Sequence, residues 1–207
     1  MSTIDVIIPV FRGFRETKAC IESVLESAGS TALELVLVDD CSPEPEISAW
    51  LDMLAASGTI CLIRNDENLG FVRSVNRAFE LHPDRNVVLL NSDTVVARGW
   101  LDRMVSCAER NPDAASISPF SNNATLASYP RIAQSNLLPK GESVASLDAL
   151  FATTNAGACV EVPTTVGFCM LLRRTVLNEI GPFDAEAFGR GYGEENDWCF
   201  RASAAGY

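Results

Sequence analysis

Short apolar runs alternate with amphipathic segments along the first half of the chain, and this alternation constrains the fold most. The first run, IDVIIPV, is rich in β-branched residues and predicts a buried parallel strand. Predicted strands cover residues 4–10, 34–38, 59–63 and 86–91, and predicted helices cover 15–28, 44–57, 70–80 and 99–110. This order predicts an α/β fold in which helices cover an open, mostly parallel sheet.

The second half of the chain is less regular. Strands are predicted at 114–119 and 165–172, and helices at 146–156 and 175–180. Residues 120–143 are rich in Ser, Asn and Pro, so we expect a long loop over the surface or the active site.

The charge balance is strongly acidic. A formal net charge of -11 and a pI near 4.5 argue against a nucleic-acid-binding protein, which would carry a basic stripe. A phosphate-bearing small ligand remains compatible with this charge if a metal ion offsets the local acidity. Seven cysteines without a C-x-x-C pair, and a single histidine, argue against a zinc site and favour reduced thiols in the cytosol.

Targeting signals are not evident in the sequence. MSTIDVIIPV lacks the basic and apolar regions of a signal peptide, and no run of about 18 apolar residues predicts a membrane span. We therefore expect a cytoplasmic location. Because RASAAGY follows a predicted helix abruptly, we also expect a chain truncated at its C-terminus, or one domain of a longer protein.

Acidic and polar residues follow the predicted parallel strands. Ligands of open α/β sheets bind at the carboxyl ends of the strands. The residues at three of these ends are Pro9, Val10 and Phe11, then Asp39 and Asp40, then Ser92 and Asp93. This arrangement predicts a polar ligand site at that edge of the sheet.

The pair Asp39-Asp40 has two interpretations. A carboxylate at a strand end can accept hydrogen bonds from a ribose hydroxyl or a base N–H, or it can cap the next helix. The absence of G-x-G-x-x-G after the first strand weakens a dinucleotide-binding interpretation, and the absence of G-x-x-x-x-G-K-[ST] argues against a P-loop enzyme.

The triplet Asn91-Ser92-Asp93 interrupts the apolar segment VVLLNSDTVV. A carboxylate there can hold Mn²⁺ or Mg²⁺, with diphosphate oxygens filling the other coordination positions. The alternative is a tight turn held by the Asn and Asp side chains. The segment NLGFVRSVNRAF is compatible with a plain capped helix whose Asn76 and Arg77 lie on the surface.

Three carboxylates occupy the predicted first helical turn of GYGEENDWCFR. The helix dipole favours acidic residues there, and Asp197 can pair with Arg201 at i,i+4. One of the adjacent Glu194 and Glu195 then remains as a candidate general base, with a pKa raised by burial and neighbouring charge. The preceding glycines suit a loop that moves over a substrate.

Together these segments resemble the family 2 glycosyltransferases, whose fold is called GT-A. The resemblance covers nearly the whole chain and is carried by VIIPVFRG, LVLVDDCS, NLGFVRSVN, VVLLNSDTVV followed by GWLDRM, and IGPFDAEAFGRGYGEENDWCFRA. It implies a Rossmann-like three-layer α/β/α sandwich formed as one domain over residues 1–207. Residues 1–112 would be the nucleotide-sugar-binding half and residues 113–207 the acceptor-side half.

The resemblance also implies an activity. The enzyme would move a sugar from a nucleotide diphospho-sugar to an acceptor hydroxyl with inversion, assisted by Mn²⁺ or Mg²⁺. The acceptor would be a carbohydrate, a lipid-linked molecule or a protein, in polysaccharide, O-antigen or glycoconjugate biosynthesis. Peripheral attachment at the inner face of the membrane is compatible with such acceptors.

Site residues follow from the same resemblance. Asp40, with Asp39 beside it, matches the position that contacts the nucleobase, and Pro9, Val10 and Phe11 match the lining of the nucleotide pocket. The D-x-D motif of the family stands here as Asn91-Ser92-Asp93, with Asp93 as the metal ligand. Glu195 matches the catalytic base, where aspartate is more usual; Glu194 precedes it, and Asp197 and Arg201 match positions that orient the base or the acceptor.

Two alternatives remain. One is a non-catalytic nucleotide-sugar or carbohydrate-binding module of a multidomain protein. The other is a nucleotidyltransferase, which would normally show a Gly-rich basic loop after the first strand. PVFRGFRE, with one glycine, matches that loop poorly.

Overall fold

Four successive strand–helix units form the first half of the computed structural model, which describes residues 3–27 and 29–207. The elements are β1 (Ile4–Val10), α1 (Phe14–Glu26), β2 (Leu33–Asp39), α2 (Pro45–Ala56), β3 (Cys61–Arg64), α3 (Phe71–Phe79), β4 (Val87–Leu90) and α4 (Trp100–Arg110). Each predicted strand and helix of this half is present with its bounds shifted by at most two residues. Residue 28, the predicted end of the first helix, lies outside the described residues.

In the second half, the two strands are shorter than the sequence predicts, whereas the helices predicted at 146–156 and 175–180 are present with bounds shifted by at most two residues. The elements of this half are β5 (Ser116–Ile117), α5 (Val144–Thr154), β6 (Cys169–Leu172), α6 (Arg174–Ile180), α7 (Ala185–Phe188) and α8 (Glu194–Ala204). The strand predicted at 114–119 is cut to two residues, and Pro119, which cannot donate to a ladder, follows shortly after it. The four-residue α7 was not predicted.

The six strands form one sheet in the order β3-β2-β1-β4-β6-β5. Strands β3, β2, β1 and β4 are parallel, whereas β6 runs antiparallel to both β4 and β5. The prediction of a mostly parallel sheet is therefore confirmed. Because Cys169 at the start of β6 pairs with Leu90 at the end of β4, the chain re-enters the sheet at the edge where the parallel strands end.

Helices cover both faces of the sheet. On one face, Val6 and Ile8 of β1 pack in a core that includes Ile21 of α1, Ile47 of α2 and Met104 of α4. The opposite face carries a second core with Ile7 of β1, Val75 of α3, Leu177 of α6 and Trp198 of α8. Burial on both faces explains why the strand sequences are continuously apolar, and it confirms the three-layer α/β/α architecture.

All seven cysteines are free thiols. Three of them, Cys20, Cys169 and Cys199, are buried, whereas Cys41 and Cys159 are exposed. Burial raises the pKa of Cys20 to about 12, so this thiol stays protonated in the core.

The carboxylate of Asp102 on α4 joins this helix to the segment that precedes β2. It accepts hydrogen bonds from Ser30 N at 2.9 Å, Thr31 N at 2.8 Å and Thr31 Oγ1 at 2.6 Å. These bonds, the Thr31 hydroxyl first, lower the pKa of Asp102 to about 2.

We expect Asp102→Ala to lower the free energy of unfolding by roughly 1–3 kcal/mol at pH 7, because two backbone donors lose a charged acceptor. Because its pKa is lowered in the folded state, ionised Asp102 stabilises the fold at any pH above the ordinary pKa of Asp. This stabilisation is lost as the pH falls through about 2. In urea unfolding, the difference in the free energy of unfolding between wild type and Asp102→Ala should therefore be smaller at pH 3 than at pH 7. Asp113→Ala, at an exposed carboxylate, is the control; equal losses in both variants would contradict the role of Asp102.

Candidate active site

A cavity of about 590 Å³ opens at the carboxyl edge of the parallel strands. Seven of the residues predicted for nucleotide or metal binding line it, namely Pro9, Val10, Phe11, Asp40, Asn91, Ser92 and Asp93. The carboxyl ends of β1, β2 and β4, with the residues directly after them, contribute these residues. The structure therefore brings most of the predicted donor-binding residues together, while their roles stay predictions.

The carboxylate of Asp40 is buried at the floor of this cavity and is held by the protein itself. Its Oδ1 accepts hydrogen bonds from Asn65 Nδ2 at 2.7 Å and Leu69 N at 2.8 Å, and its Oδ2 accepts from Gly70 N at 2.9 Å. Asp40 thus fastens the end of β2 to the start of α3. With one bond at Oδ2, a lone pair of this oxygen remains available to a ligand.

A network of polar side chains extends this anchor. Asn65 is buried and also donates from Nδ2 to Ser74 Oγ at 2.8 Å, while Arg77 donates from Nη1 to Asn65 Oδ1. Arg77 is exposed, as predicted, but it orients Asn65. Asn76 is half-buried and exchanges two hydrogen bonds with the backbone of Phe183, so the surface placement predicted for Asn76 is wrong.

Asp39 does not line the cavity. Its carboxylate accepts hydrogen bonds from Ser42 N at 2.9 Å, Ser48 Oγ at 3.1 Å and Arg64 Nε at 3.0 Å. These contacts hold the segment that leads into α2, but Asp39 is not the cap of that helix, whose N-cap is Glu44. The structure therefore separates Asp39 from the other predicted nucleotide-binding residues.

The Asn91-Ser92-Asp93 segment forms a turn through its backbone. Thr94 N donates to Asn91 O at 3.1 Å, and Asn91 N donates to Phe168 O at 2.8 Å. Asp93 is exposed in the cavity, and its carboxylate makes no hydrogen bond or ion pair with any residue among 3–27 and 29–207. Because the backbone alone makes the turn, the Asp93 carboxylate is free to bind a ligand.

Glu194 and Glu195 begin α8, as predicted, but their environments differ. Glu194 is 6% exposed, and its Oε2 has no hydrogen-bond partner among the residues that the structure describes. Burial first, and then the charge of Glu195, raises the pKa of Glu194. Glu195 is half-buried and lies against Gly167, where an added Cβ would come within 3.7 Å of its Cγ. Glu194 thus has the raised pKa that the sequence suggested for a candidate base.

Asp197 forms the pair predicted from its spacing. Its Oδ2 lies 2.8 Å from Arg201 Nε, and the same guanidinium donates to Ile180 O and Pro182 O. This pair fixes α8 to the turn that follows α6. Asp197 does not line the cavity, and its contacts give it a positioning role.

Two arginines in the cavity wall were missed by the sequence predictions. Arg12 and Arg190 both line the cavity, and neither forms an ion pair with a carboxylate in the part of the chain that the structure describes. The guanidinium of Arg12 lies 5.0 Å from the centre of the Phe11 ring. These cations oppose the overall negative charge of the chain at this site.

Other lining residues were also missed: Gly13, Glu16, Asn68, Gly70, Phe71 and Ser74. The Asn-rich segment RNDENLG after β3 was a usable signal, because it follows a fourth parallel strand. Gly70 has φ +81°, and a Cβ there would lie 3.0 Å from Arg190 Cα. The loop before α8 therefore approaches the start of α3 closely.

A second acidic cluster lies at the opposite edge of the sheet. Asp5, Glu34 and His82 place ligand atoms within 4.8 Å of one another. Arg85 Nη1, however, lies 3.1 Å from Asp5 Oδ1 and 2.5 Å from Glu34 Oε2. A guanidinium already neutralises this cluster, so Asp93 in the cavity is the stronger metal-site candidate.

With the fold and the cavity defined, comparison with known proteins identifies the family. The family model described as glycosyl transferase family 2 matches residues 5–181. The chain belongs to this family, and the resemblance seen in the sequence is confirmed. It is a glycosyltransferase-family domain with the GT-A fold.

Curated relatives are longer than this chain. An uncharacterized protein of Sinorhizobium fredii, y4gI, is 22% identical over 99% of the chain and 23% of its own length. A glucosyl-dolichyl phosphate glucuronosyltransferase of Haloferax volcanii is 32% identical over 52% of the chain and 33% of its own length. The chain thus spans about a quarter to a third of these relatives.

Solved structures share the fold at low sequence identity. GalNAc-T7, crystallised with UDP, GalNAc and Mn²⁺, has a TM-score of 0.74 and 17% identity, covering 99% of this chain and 40% of that one. The mannosyltransferase PcManGT of Pyrobaculum calidifontis, in complex with GDP-Man and Mn²⁺, has a TM-score of 0.69 and 18% identity, covering 99% and 52%. TarS of S. aureus has a TM-score of 0.63 and 16% identity, and the match covers 97% of this chain and 55% of the TarS chain.

Within the described residues, no helix has the length and apolar character needed to cross a membrane.

Asp40→Asn tests the anchor under the cavity. The amide keeps one acceptor oxygen, so at least one of Leu69 N and Gly70 N would lose its partner. We expect a loss of roughly 1–3 kcal/mol in the free energy of unfolding, measured by urea denaturation. Asp66→Asn, at an exposed carboxylate in the same loop, is the matched control. If Asp40→Asn is as stable as this control, the Asp40 carboxylate does not hold the start of α3.

Glu194→Gln tests the buried carboxyl group. A raised pKa means that the folded state retains a proton that the unfolded state has lost, so wild-type stability falls as the pH rises from about 4.3 through the raised value. Melting temperatures from pH 4 to pH 8 should show wild type losing stability relative to Glu194→Gln over that window. Glu186→Gln, at an exposed side chain, should give a parallel curve to wild type. If the melting temperatures of wild type and Glu194→Gln differ by the same amount from pH 4 to pH 8, the Glu194 carboxyl is not desolvated.

Proposed function

We propose that this domain transfers a sugar from a nucleotide diphospho-sugar to an acceptor hydroxyl, with inversion at the anomeric carbon. The observation that carries the proposal is the cavity itself. It combines the Asp40 anchor, the Asp93 carboxylate and the guanidinium groups of Arg12 and Arg190 at the carboxyl edge of the sheet. Asp93, Arg12 and Arg190 form no ion pair within the described part of the chain. This edge is where open α/β sheets bind nucleotides.

The donor would lie along the first half of the domain. Pro9, Val10, Phe11 and the remaining lone pair of Asp40 would receive the nucleoside, with Asn91 and Ser92 next to the sugar or ribose. Arg12 and Arg190 would bind the diphosphate, since guanidinium groups match phosphate geometry. Residues 1–112 would thus be the nucleotide-sugar half of a single domain, and residues 113–207 the acceptor half.

A divalent ion fits this site. Mg²⁺ and Mn²⁺ prefer oxygen ligands, and Mg²⁺ is commonly held by one or two carboxylates together with substrate phosphates. Asp93 would be the protein ligand because its carboxylate has no competing partner among residues 3–27 and 29–207. The bound ion would supply charge neutralisation at the leaving diphosphate. The structures of both GalNAc-T7 and PcManGT contain Mn²⁺.

Glu195 is the proposed general base. It begins α8 beside Gly167, in the acceptor half, and it is less buried than Glu194. It would remove the proton of the acceptor hydroxyl as that oxygen attacks the anomeric carbon in a single displacement. Glu194 would support it as a buried neighbour, and the Asp197–Arg201 pair would hold α8 in place.

The pathway proposed is polysaccharide, O-antigen or glycoconjugate biosynthesis in the cytoplasm. The acceptor would be a carbohydrate, a lipid-linked molecule or a protein. The relative from Haloferax volcanii is named for a lipid-linked substrate, glucosyl-dolichyl phosphate, which supports including lipid-linked acceptors and attachment at the inner face of the membrane.

Glu195→Gln tests the reaction. A thermal-shift screen of nucleotide sugars with and without Mn²⁺ first identifies the donor. With that donor, we expect Glu195→Gln to bind nucleotide as wild type does and to release nucleoside diphosphate about 10²–10⁴-fold more slowly. The measurement is nucleoside diphosphate release at saturating donor, with water taking the place of the acceptor hydroxyl and receiving the sugar.

Two comparisons make this test specific. Glu186→Gln on α7 removes an exposed carboxylate outside the cavity and should retain wild-type turnover. Near-normal turnover in Glu195→Gln, with turnover abolished in Glu194→Gln, would move the base to Glu194. Nucleotide binding without any turnover in wild type would favour a non-catalytic binding module.

A further inference from the structure

Three aromatic rings meet on the long excursion between β5 and β6. The rings of Phe120 and Phe151 are stacked with centroids 6.3 Å apart, and Tyr129 meets Phe151 edge-on at 4.8 Å. Phe120 and Tyr129 remain 61% and 51% exposed. A cluster serving only as a local core would bury its rings, so this exposure requires another explanation.

The loop that carries two of these rings is held by its own backbone. Tyr129 N donates to Ser121 O at 2.8 Å, Ser121 N donates to Ala127 O at 3.0 Å, and Ala124 N donates to Ser128 Oγ at 2.7 Å. The loop is therefore closed without help from the rings. Phe120 and Tyr129 are presented on a preformed support.

The topology places this cluster on the side of Glu195. Strand β5 runs in the same direction as β4, because both are antiparallel to β6, so the chain leaves β5 at the cavity edge. Ser118 Oγ donates to Val166 O at 2.8 Å and Cys169 O at 2.6 Å. Gly167, next to Val166, packs against Glu195. Phe120 follows Ser118 by two residues, a span of at most about 7 Å.

We propose that Phe120, Tyr129 and Phe151, called here the aromatic platform, bind the saccharide acceptor beside Glu195. This inference rests on the proposed function. The apolar C–H face of a pyranose ring complements the negative face of an aromatic ring. The exposed amide of Asn123, which has no partner within the described chain, can donate to and accept from sugar hydroxyls next to the rings.

The charge around the aromatic platform favours a neutral saccharide over an anionic lipid headgroup. Residues 118–168 contain two basic residues and three acidic ones: Arg131, Lys140, Glu142, Asp148 and Glu161. Two arginines of α4 also contact this segment, but Arg103 is paired with Asp148 and Arg110 donates to Gly157 O. A surface that binds anionic lipid needs clustered Lys and Arg. The aromatic platform has stacked rings and amide groups in the same segment, but no basic cluster. We therefore expect it to bind a neutral sugar.

The test uses an array of immobilised neutral oligosaccharides as the probe. We expect wild type to bind a subset of them, and Phe120→Ala and Tyr129→Ala to bind the same subset about tenfold or more weakly. Phe120→Leu keeps apolar volume but removes the ring face, so it should also lose saccharide binding while melting as wild type does. Leu137→Ala, at a 92% exposed side chain of the same excursion, should bind as wild type does.

Several results would overturn the aromatic platform. Wild-type binding in Phe120→Ala and Tyr129→Ala would do so, as would full binding in Phe120→Leu. A wild-type protein that binds no oligosaccharide, or binds only phosphatidylglycerol vesicles, would also overturn it. The thermal shift of wild type with nucleotide sugars separates the two proposals. If no nucleotide sugar shifts the melting temperature, the proposed function is contradicted. If a nucleotide sugar does so but no saccharide binds, only the aromatic platform is contradicted.

Discussion

The hydrogen bonds to Asp40 are the constraint on which the cavity depends. Its carboxylate joins the end of β2 to Asn65, Leu69 and Gly70, and so fixes the start of α3 at the edge of the sheet. Gly70 in turn approaches Arg190 closely, at a position where a Cβ would lie 3.0 Å from the Arg190 Cα. A single buried charge therefore sets the spacing between the cavity floor and the loop that leads into α8.

The antiparallel strand β6 is the second organising feature. It brings the chain back to the edge where the parallel strands end, with Asn91 N bonded to Phe168 O. Gly167 then lies against Glu195. Through this connection the donor-side turn containing Asp93 and the acceptor-side helix α8 face the same region, although a hundred residues separate them in sequence.

The sequence predicted the layered fold well because both faces of the sheet are buried. The strands are mostly apolar, and the helices between them carry one apolar face each. The type and order of the elements could therefore be predicted without tertiary information. The rule that ligands bind at strand ends also identified six cavity residues, and the interrupted apolar segment added Asn91. The strand β5 was predicted too long, and α7 was missed because an element of four residues carries too little pattern to detect.

Distinctions between adjacent residues could not be predicted. Asp39 and Asp40 are chemically identical, but neighbouring positions at a strand end point in opposite directions, so only Asp40 reaches the cavity. Glu194 and Glu195 differ by about 100° of helix rotation, which buries one carboxylate and leaves the other half-buried. Arg190 comes from a loop whose path depends on contacts with α3, and such contacts leave no local pattern.

The central claim is that the cavity at the strand ends binds the nucleotide diphosphate with a metal ion on Asp93. A crystal structure with Mn²⁺ and a nucleoside diphosphate, recorded at a wavelength where manganese scatters anomalously, tests it directly. The account predicts an anomalous peak at the Asp93 carboxylate, with diphosphate oxygens completing its coordination near Arg12 and Arg190. A peak among Asp5, Glu34 and His82, or a nucleotide bound outside this cavity, would contradict it.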